Sequence, residues 1–363
     1  MFLQFGTSRF LQAHADLIIS EAMSPHQICV VQSSGHGATA GRLAHLADPA
    51  GYLVIIQGRA DGATVAVDKT VTSVRRALSS ATDWSAVVQE ALSCRFILSN
   101  VSEAGYAPKD ADAKPVFDNA MSFVAKLTLL LKARFTHGVG PCTIMPLELF
   151  PDNGTHLQKL VHAQASLWNE TAEFHDVIDA HLWVNSLVDR IVSEPIDPVG
   201  AVAEPYCLWA IEDAPGLDLP FSNHAAVTIT TDLKTFERLK LYLLNLSHTF
   251  MAELWTRRGM PDDMLVKTFI NDAILRAELT AMVEAEVLPI FAAAGLGAQA
   301  QAYFATTLER FMNPFLNHKF RDITLGHASK VNARAGSFLT WARSVDHTVQ
   351  TPLLDALLKA HNT

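Results

Sequence analysis

The chain is short of paired cysteines, long apolar runs and positive charge, and each shortage argues against a class of protein. Its four cysteines form no CxxC pair, which disfavours a disulfide framework or a zinc ribbon and favours a reducing cytoplasm. Apolar runs such as 129–131 fall far short of the roughly 20 residues that a membrane span needs, and no signal-peptide pattern is visible. The formal net charge of -9 disfavours nucleic acid as a partner, because phosphate binding needs a basic surface.

The sequence does contain enough apolar material for two hydrophobic cores. It has 363 residues, of which 49% are hydrophobic, and this length predicts two domains. In the first half, short β-branched runs alternate with helical stretches, which is typical of a parallel sheet with crossover helices. We therefore predict an α/β fold with a Rossmann-type doubly wound sheet in residues 1–203 and a mostly α-helical domain in residues 204–363. The predicted sheet strands are Phe2–Phe5, Ile28–Gln32, Phe96–Ser99 and Cys142–Pro146.

Other elements are predicted around these strands. The length and apolar content of Val116–Phe135 indicate a crossover helix. An Asp61-Gly62 turn between two strand-like runs predicts a β-hairpin, which we place at the edge of the sheet. In the second half the predicted helices are Leu233–Arg257, Pro261–Val287, Ala298–Met312, Gly336–Arg343 and a last one from Thr351.

The strongest chemical pattern is Lys240, Asn245 and His248 in one predicted helix. At ~100° per residue, positions five and eight beyond the lysine lie about 140° and 80° round the helix, so the three polar groups share one broad face. The apolar neighbours indicate that this face is partly buried, and burial lowers the pKa of a lysine towards the range of a general base. A core histidine beside a lysine that reaches solvent would show the same spacing.

A second pattern follows the first strand. Gly6, Thr7, Ser8, Arg9 and Phe10 could form a tight turn at a helix N-terminus that holds a dinucleotide pyrophosphate. Only one glycine of the GxGxxG fingerprint is present, so an ordinary strand-to-helix turn remains an alternative.

The second predicted strand ends at Gln32, and no acid that could bind a ribose diol follows in Ser33, Ser34 or Gly35. Arg42 is the nearest basic residue that could meet a 2′-phosphate. We therefore predict NAD as cofactor, with NADP not excluded.

Two polar clusters complete the candidates. One is residues 185–191; the other spans 310–334 and includes His318, Arg321 and Lys330. Cations in an otherwise acidic protein would suit a carboxylate ligand, although a solvated basic helix face is the simpler alternative. Among the 15 histidines no HExxH or comparable spacing occurs, so no catalytic metal is predicted.

Taken together, these segments resemble the polyol-specific long-chain dehydrogenase/reductase family of mannitol dehydrogenases, mannonate oxidoreductases and tagaturonate reductases. The resemblance runs from Gln4 to about Arg334, and residues 100–105 and 310–315 with Lys330 are most similar to the tagaturonate reductase (altronate oxidoreductase) branch. The residues that carry it are Phe5–Leu11, Ser99–Tyr106, Glu148–Gly154, Val188–Ile191, Trp209–Asp213 and Lys240–His248.

The resemblance implies a metal-independent oxidoreductase that interconverts a secondary alcohol and a ketone on a sugar acid. It assigns Lys240 as general acid/base, Asn185 and Asn245 as donors to the reacting oxygen, and His248 and Asp213 as substrate-positioning groups. We also predict Asn100 and Glu103 at the cofactor and, because of the charge of their cluster, His318, Arg321 and Lys330 at a substrate carboxylate. The alternatives are a dehydrogenase of an uncharged polyol and a catalytically silent binding protein. We expect a monomer or small homo-oligomer in the cytoplasm.

Overall fold

The computed structural model describes residues 1–22, 27–33 and 40–361, which form two compact units. The first unit comprises Met1–Ile56, Val67–Ala203 and Cys207–Leu233, and the second comprises Gln57–Ala66, Glu204–Tyr206 and Lys234–Thr363. The predicted division at residues 203 and 204 stays a prediction. Within the described residues, no helix is long and apolar enough to cross a membrane.

The strands of the described residues fall into three sheets. In chain order they are β1 (Phe2–Phe5), β2 (Ile28–Gln32), β3 (Tyr52–Ala60), β4 (Ala63–Val71), β5 (Val74–Ser79), β6 (Phe96–Ser99), β7 (Thr143–Pro146), β8 (Leu182–Trp183), β9 (Ser186–Asp189), β10 (Val192–Pro195), β11 (Ala201–Ala203), β12 (Leu208–Glu212) and β13 (Val227–Thr230).

The largest sheet is parallel throughout and has the strand order β5-β2-β1-β6-β7-β8. Strand β1 is buried along its whole length, as expected for a strand covered on both faces. In the register, Phe5 lies between Val31 of β2 and Ser99 of β6. The strand order reverses at β1, so the residues that follow β1 and β6 lie where open α/β sheets bind ligands. The predicted Rossmann-type sheet is confirmed.

The predicted hairpin exists as β3 and β4, but its predicted place at the edge of this sheet is wrong. Strand β3 pairs in parallel with β11, with Val54 opposite Ala201, in a separate sheet of order β10-β11-β3-β4. Turn residues predict that two strands pair with each other, but they carry no information about the next strand. The third sheet has the order β13-β12-β9, with β12 antiparallel to β9.

The helices of the first unit cover and connect the sheets. They are α1 (Arg9–Ala13), α2 (Ala15–Ala22), α3 (Ala40–Leu46), α4 (Trp84–Ser93), α5 (Glu103–Tyr106), α6 (Phe123–Thr136), α7 (Asn153–Leu167) and α8 (Ala172–Ala180), with a 3₁₀ turn at Asp110–Ala113. The crossover helix α6 begins seven residues later than predicted. Ser122 caps it by accepting a hydrogen bond from the N–H of Ala125 at 3.1 Å, which satisfies a donor of the first turn.

The second unit is mostly helical, as predicted. Its helices are α9 (Leu233–Leu239), α10 (Leu246–Arg257), α11 (Val266–Asn271), α12 (Ala273–Met282), α13 (Leu288–Ala293), α14 (Gly297–Phe311), α15 (Phe320–Ile323), α16 (His327–Val331), α17 (Ser337–Val345) and α18 (Pro352–His361). The predicted helix Pro261–Val287 starts later and is interrupted. Asp272 stops α11 and caps α12 by accepting the N–H groups of Ile274 and Leu275 at 2.9 and 3.1 Å.

Three segments of π-helix join helices of this unit: Lys240–Asn245, Val283–Val287 and Asn332–Gly336. A π-helical turn holds one residue more than an α-helical turn, and such turns are frequent at functional sites. The first segment contains two of the predicted catalytic residues.

Candidate active site

The turn after β1 needs a glycine. Gly6 has φ +120°, and a Cβ atom at this position would lie 2.6 Å from the carbonyl oxygen of Asn100. Ser8 then caps α1: its Oγ accepts the N–H of Leu11 at 3.2 Å and donates to Oδ1 of Asn100 at 3.0 Å. The backbone after β1 therefore approaches the backbone after β6 more closely than any side chain at residue 6 would allow.

A cavity of about 360 Å³ opens at these strand ends. Five residues that were predicted to hold the cofactor line it, namely Gly6, Thr7, Ser8, Gln32 and Asn100. Backbone N–H groups of a turn that a glycine brings close to the ligand are the usual partners of a dinucleotide pyrophosphate. The residues present therefore fit a dinucleotide.

Three other predicted cofactor residues are not among the lining residues of this cavity. Arg9 and Glu103 are exposed, and Phe10 stacks on His14 with ring centroids 4.8 Å apart. Ser34 and Gly35 lie outside the described residues. The roles of Arg9, Phe10 and Glu103 stay predictions.

Two lysines in the cavity wall, Lys109 and Lys126, were missed by the sequence reasoning. The Nζ of Lys126 donates to the carbonyl oxygens of Ser33 and Asn119 at 2.9 and 2.8 Å. Burial, with the charge of Lys109, lowers the pKa of Lys126 to about 8. None of the lining residues is acidic, so this wall suits an anion. A lysine inside the apolar run of the crossover helix was the available signal.

Asn185 is held rigidly in the first unit. Its Nδ2 donates to Oε2 of Glu212 at 2.7 Å and to Oγ1 of Thr155 at 3.2 Å, and its Oδ1 accepts the N–H of Thr155 at 2.9 Å. Both N–H groups of the amide are therefore engaged, and donating to a substrate oxygen would require one of these bonds to be exchanged. Glu212 was not singled out from the sequence, although it belongs to a segment that carries the resemblance. Its neighbour Asp213 is exposed.

In the second unit, the π-helical segment runs from Lys240 to Asn245. The N–H of Leu246 bonds to the carbonyl oxygen of Leu241, five residues earlier, as in a π-helix. A π-helical turn holds more residues than an α-helical turn, so the 140° offset predicted for Lys240 and Asn245 from α-helical geometry does not hold in this segment. Both side chains are partly buried.

The irregular backbone of this segment is secured by an arginine. The guanidinium of Arg334 donates to the carbonyl oxygen of Asn245 at 3.1 Å and to Oγ1 of Thr249 at 2.9 Å, and this hydroxyl also donates to the Asn245 carbonyl at 3.1 Å. These bonds satisfy a carbonyl at the end of the π-helical segment. Arg334 therefore positions Asn245.

His248 lies buried on α10, one helical turn beyond Asn245. Its ring contacts Phe311 and His318, with centroids 4.5 and 5.2 Å away. Burial, followed by the nearby charges of His318, Arg334, Arg310 and Lys330, holds the pKa of His248 well below its usual range. His248 is therefore neutral near pH 7 and can exchange hydrogen bonds with a hydroxyl group.

The cations predicted to bind a carboxylate separate into two environments. Lys330 is partly buried, its Nζ donates to the carbonyl oxygen of Ile323 at 2.7 Å, and burial with the charge of Arg334 lowers its pKa. Arg321 is exposed and lies 3.8 Å from the carboxylate of Asp322. The structure thus groups Lys330 and His318 with His248, while Arg321 faces solvent.

Comparison with known proteins agrees with this geometry. Sequence models of the mannitol dehydrogenase Rossmann domain and the mannitol dehydrogenase C-terminal domain match residues 1–219 and 232–348. Altronate oxidoreductase of Bacillus subtilis is 31% identical over 92% of this chain and 73% of the relative. Altronate oxidoreductase of Halalkalibacterium halodurans is 30% identical over 92% and 69%.

Two solved structures show the same fold. A substrate-free D-sorbitol dehydrogenase has a TM-score of 0.82 at 18% identity and covers 99% of this chain and 80% of its own. Pseudomonas fluorescens mannitol 2-dehydrogenase, in a ternary complex with NAD and D-mannitol, has a TM-score of 0.72 at 20% identity and covers 100% and 84%.

Fold and site thus define a two-unit dehydrogenase with a Rossmann-type sheet. The chain belongs to the mannitol dehydrogenase family. It is an NAD-dependent oxidoreductase that acts on CH–OH groups of polyols or sugar acids, which confirms the predicted class of enzyme and cofactor.

Proposed function

We propose that the substrate is a sugar acid of the altronate/tagaturonate type, with fructuronate/mannonate as the related pair. The observation that carries this proposal is that two partly buried cations, Lys330 and Arg334, lie near His248, whereas the charge of Arg310 is balanced by Glu204. A carboxylate beside partly buried cations forms charge-assisted hydrogen bonds. The relatives named altronate oxidoreductase support the same substrate class.

Lys330 is the cation best suited to bind the carboxylate. An ammonium group carries three N–H donors, and the Ile323 carbonyl accepts one of them. Arg334 is occupied by Asn245 and Thr249. Arg310 donates to the buried carboxylate of Glu204 from Nε at 3.0 and 3.2 Å and from Nη2 at 2.7 Å. Lys330 therefore anchors the acid, with His318 beside it, and Arg334 adds positive charge nearby.

In the proposed mechanism Lys240 is the proton-transfer group. During oxidation, neutral Lys240 takes the proton of the substrate hydroxyl, and Asn245 donates a hydrogen bond to the oxygen as negative charge develops. Neutral His248 orients a neighbouring hydroxyl, and the roles of Asn185 and Asp213, which belong to the first unit, stay predictions. Bound NAD supplies the hydride acceptor, and reduction follows the same path backward. No metal is invoked in this mechanism.

The proposal also covers the cofactor, the oligomeric state and the cellular location of the enzyme. NAD is the cofactor, and Lys109 and Lys126 in the cavity wall are cations that could also meet the 2′-phosphate of NADP, so kcat/KM should be measured with both. The partner is a small molecule, a monomer or small homo-oligomer is expected, and the cytoplasm is the expected location.

The rival function is oxidation of an uncharged polyol, which is favoured by the structural neighbour that binds D-mannitol. The test compares Lys330→Ala with Arg321→Ala on tagaturonate and on fructose. Loss of one charge-assisted hydrogen bond costs about 1.5 to 3 kcal/mol, so Lys330→Ala should lower kcat/KM for the acid roughly ten-fold or more and spare the ketose. Arg321→Ala should have a much smaller effect, because that side chain is exposed. Equal losses of the Lys330 variant on both substrates would favour the polyol.

A further inference from the structure

Three side chains with metal-binding atoms meet in the second unit, on three different helices. They are Glu253 on α10, His327 on α16 and His361 on α18. The Nε2 atoms of both histidines lie 2.9 Å from Oε2 of Glu253, and all three atoms lie within 4.8 Å of one another. Glu253 is buried and both histidines are partly buried.

We propose that this His-His-Glu group is a structural binding site for a zinc-like divalent cation. Two imidazoles and one carboxylate are a ligand set that zinc accepts, with a water as fourth ligand. At Zn–N distances of about 2.0–2.1 Å, tetrahedral ligands lie about 3.4 Å apart. Each histidine Nε2 now lies 2.9 Å from Oε2 of Glu253, and the two Nε2 atoms lie at most 4.8 Å apart. Because 3.4 Å falls between these distances, small side-chain rotations would bring all three atoms to the spacing of zinc ligands.

The surroundings favour binding through one carboxylate oxygen. Arg257 donates from Nε to Oε1 of Glu253 at 2.5 Å, which leaves Oε2 directed at the two histidines. Carboxylates that bind metals usually accept a hydrogen bond on their other oxygen, which fixes their orientation, and the bond from Arg257 has this role here.

The bound ion would link α10, α16 and α18, and would thereby fix the last helix of the chain. His361 lies beyond residue 348, where the match to the C-terminal domain of the family ends. The ligand set is therefore not assigned by family membership. Glu253 stands five residues after His248, so the ion would stabilise the helix that carries the proposed active site without taking part in proton transfer.

The experiment uses the full chain, stripped of metal with a chelator and then titrated with Zn²⁺ against a chromophoric competitor. Co²⁺ absorption serves as a second probe, because tetrahedral and octahedral cobalt have different spectra. We expect one Zn²⁺ per chain, a rise in Tm with added Zn²⁺, and a tetrahedral cobalt spectrum. His361→Ala and His327→Ala should each weaken Zn²⁺ binding at least ten-fold, and so should Glu253→Gln, which preserves the volume of the side chain.

The matched control is His347→Ala, which removes an exposed histidine of the same unit. This variant should bind Zn²⁺ as the unchanged chain does. The proposal is overturned if the unchanged chain takes up no stoichiometric Zn²⁺, or if the three ligand variants bind it as tightly as the control. Either result would mean that the cluster holds the helices by histidine–carboxylate hydrogen bonds alone. The readouts need no substrate, so they do not depend on the proposed function.

Discussion

Replacing Gly6 with alanine adds one methyl group, and we expect it to weaken cofactor binding more than such a small change usually does. The φ of +120° is unfavourable for any residue with a Cβ, and the added atom would lie 2.6 Å from the carbonyl oxygen of Asn100. The backbone conformation costs about 1 to 3 kcal/mol, because φ +120° lies outside the left-handed α region, and forcing an extra carbon into a packed site typically costs about 1 to 3 kcal/mol more. The sum, about 2 to 6 kcal/mol, must appear as lost stability, lost cofactor affinity, or both.

Gly138→Ala is the matched control for this substitution. Gly138 belongs to the same unit and has φ +63°, but a Cβ there would have no atom within 4 Å. It should therefore show only the backbone cost of about 1 to 2 kcal/mol, which for units of this size is a fall in Tm of roughly 2–4 °C per kcal/mol.

Fluorescence titration with NADH and thermal unfolding measure the two quantities. We expect Gly6→Ala to raise the Kd for NADH about ten-fold or more, since each factor of ten corresponds to about 1.4 kcal/mol, and to unfold below the control. Gly138→Ala should bind NADH normally. If Gly6→Ala bound NADH as tightly as Gly138→Ala and had the same Tm, the close approach of the two turns could not be part of the cofactor site.

Three further outcomes are expected. Lys240→Ala should lower kcat about 10² to 10⁴-fold and leave the Kd for NADH unchanged, because general acid–base catalysis is worth about that much; near-normal turnover would refute the assignment. In the His361→Ala variant, which lacks the proposed structural zinc site, treatment with EDTA should leave kcat intact, and a loss that only zinc restores would contradict the metal-independent mechanism. Burial, with the charge of Arg134, lowers the pKa of His181 to about 4. Between about pH 6.5 and pH 4, His181 is therefore protonated in the unfolded chain and neutral in the folded chain. Stability should therefore fall by about 3 kcal/mol between pH 7 and pH 4, and a pH series of urea unfolding should show that His181→Asn removes this part of the loss.

Local patterns were sufficient for the elements that position the cofactor cavity. The strands Phe2–Phe5, Ile28–Gln32 and Phe96–Ser99 have the predicted bounds, because a strand buried on both faces is a short, continuous apolar run. Gly6 and Ser8 could be predicted to form a turn, since both directly follow such a strand. Lys126 could not be placed in the same cavity, because the side of α6 that faces the cavity depends on how that helix packs.

The amino-acid sequence by itself determined the class of fold, the hairpin turn at Asp61-Gly62 and the grouping of Lys240, Asn245 and His248 in one helix, because these depend on residues close together in the chain. Only the tertiary structure decided that this helix contains a π-helical turn, since α-helical and π-helical turns use the same residue types and differ in which carbonyl each N–H reaches. It also decided that Lys330 lies with His248 while Arg321 faces solvent. The two cations are nine residues apart on short helices, and their environments depend on packing against α10, which a linear pattern does not encode.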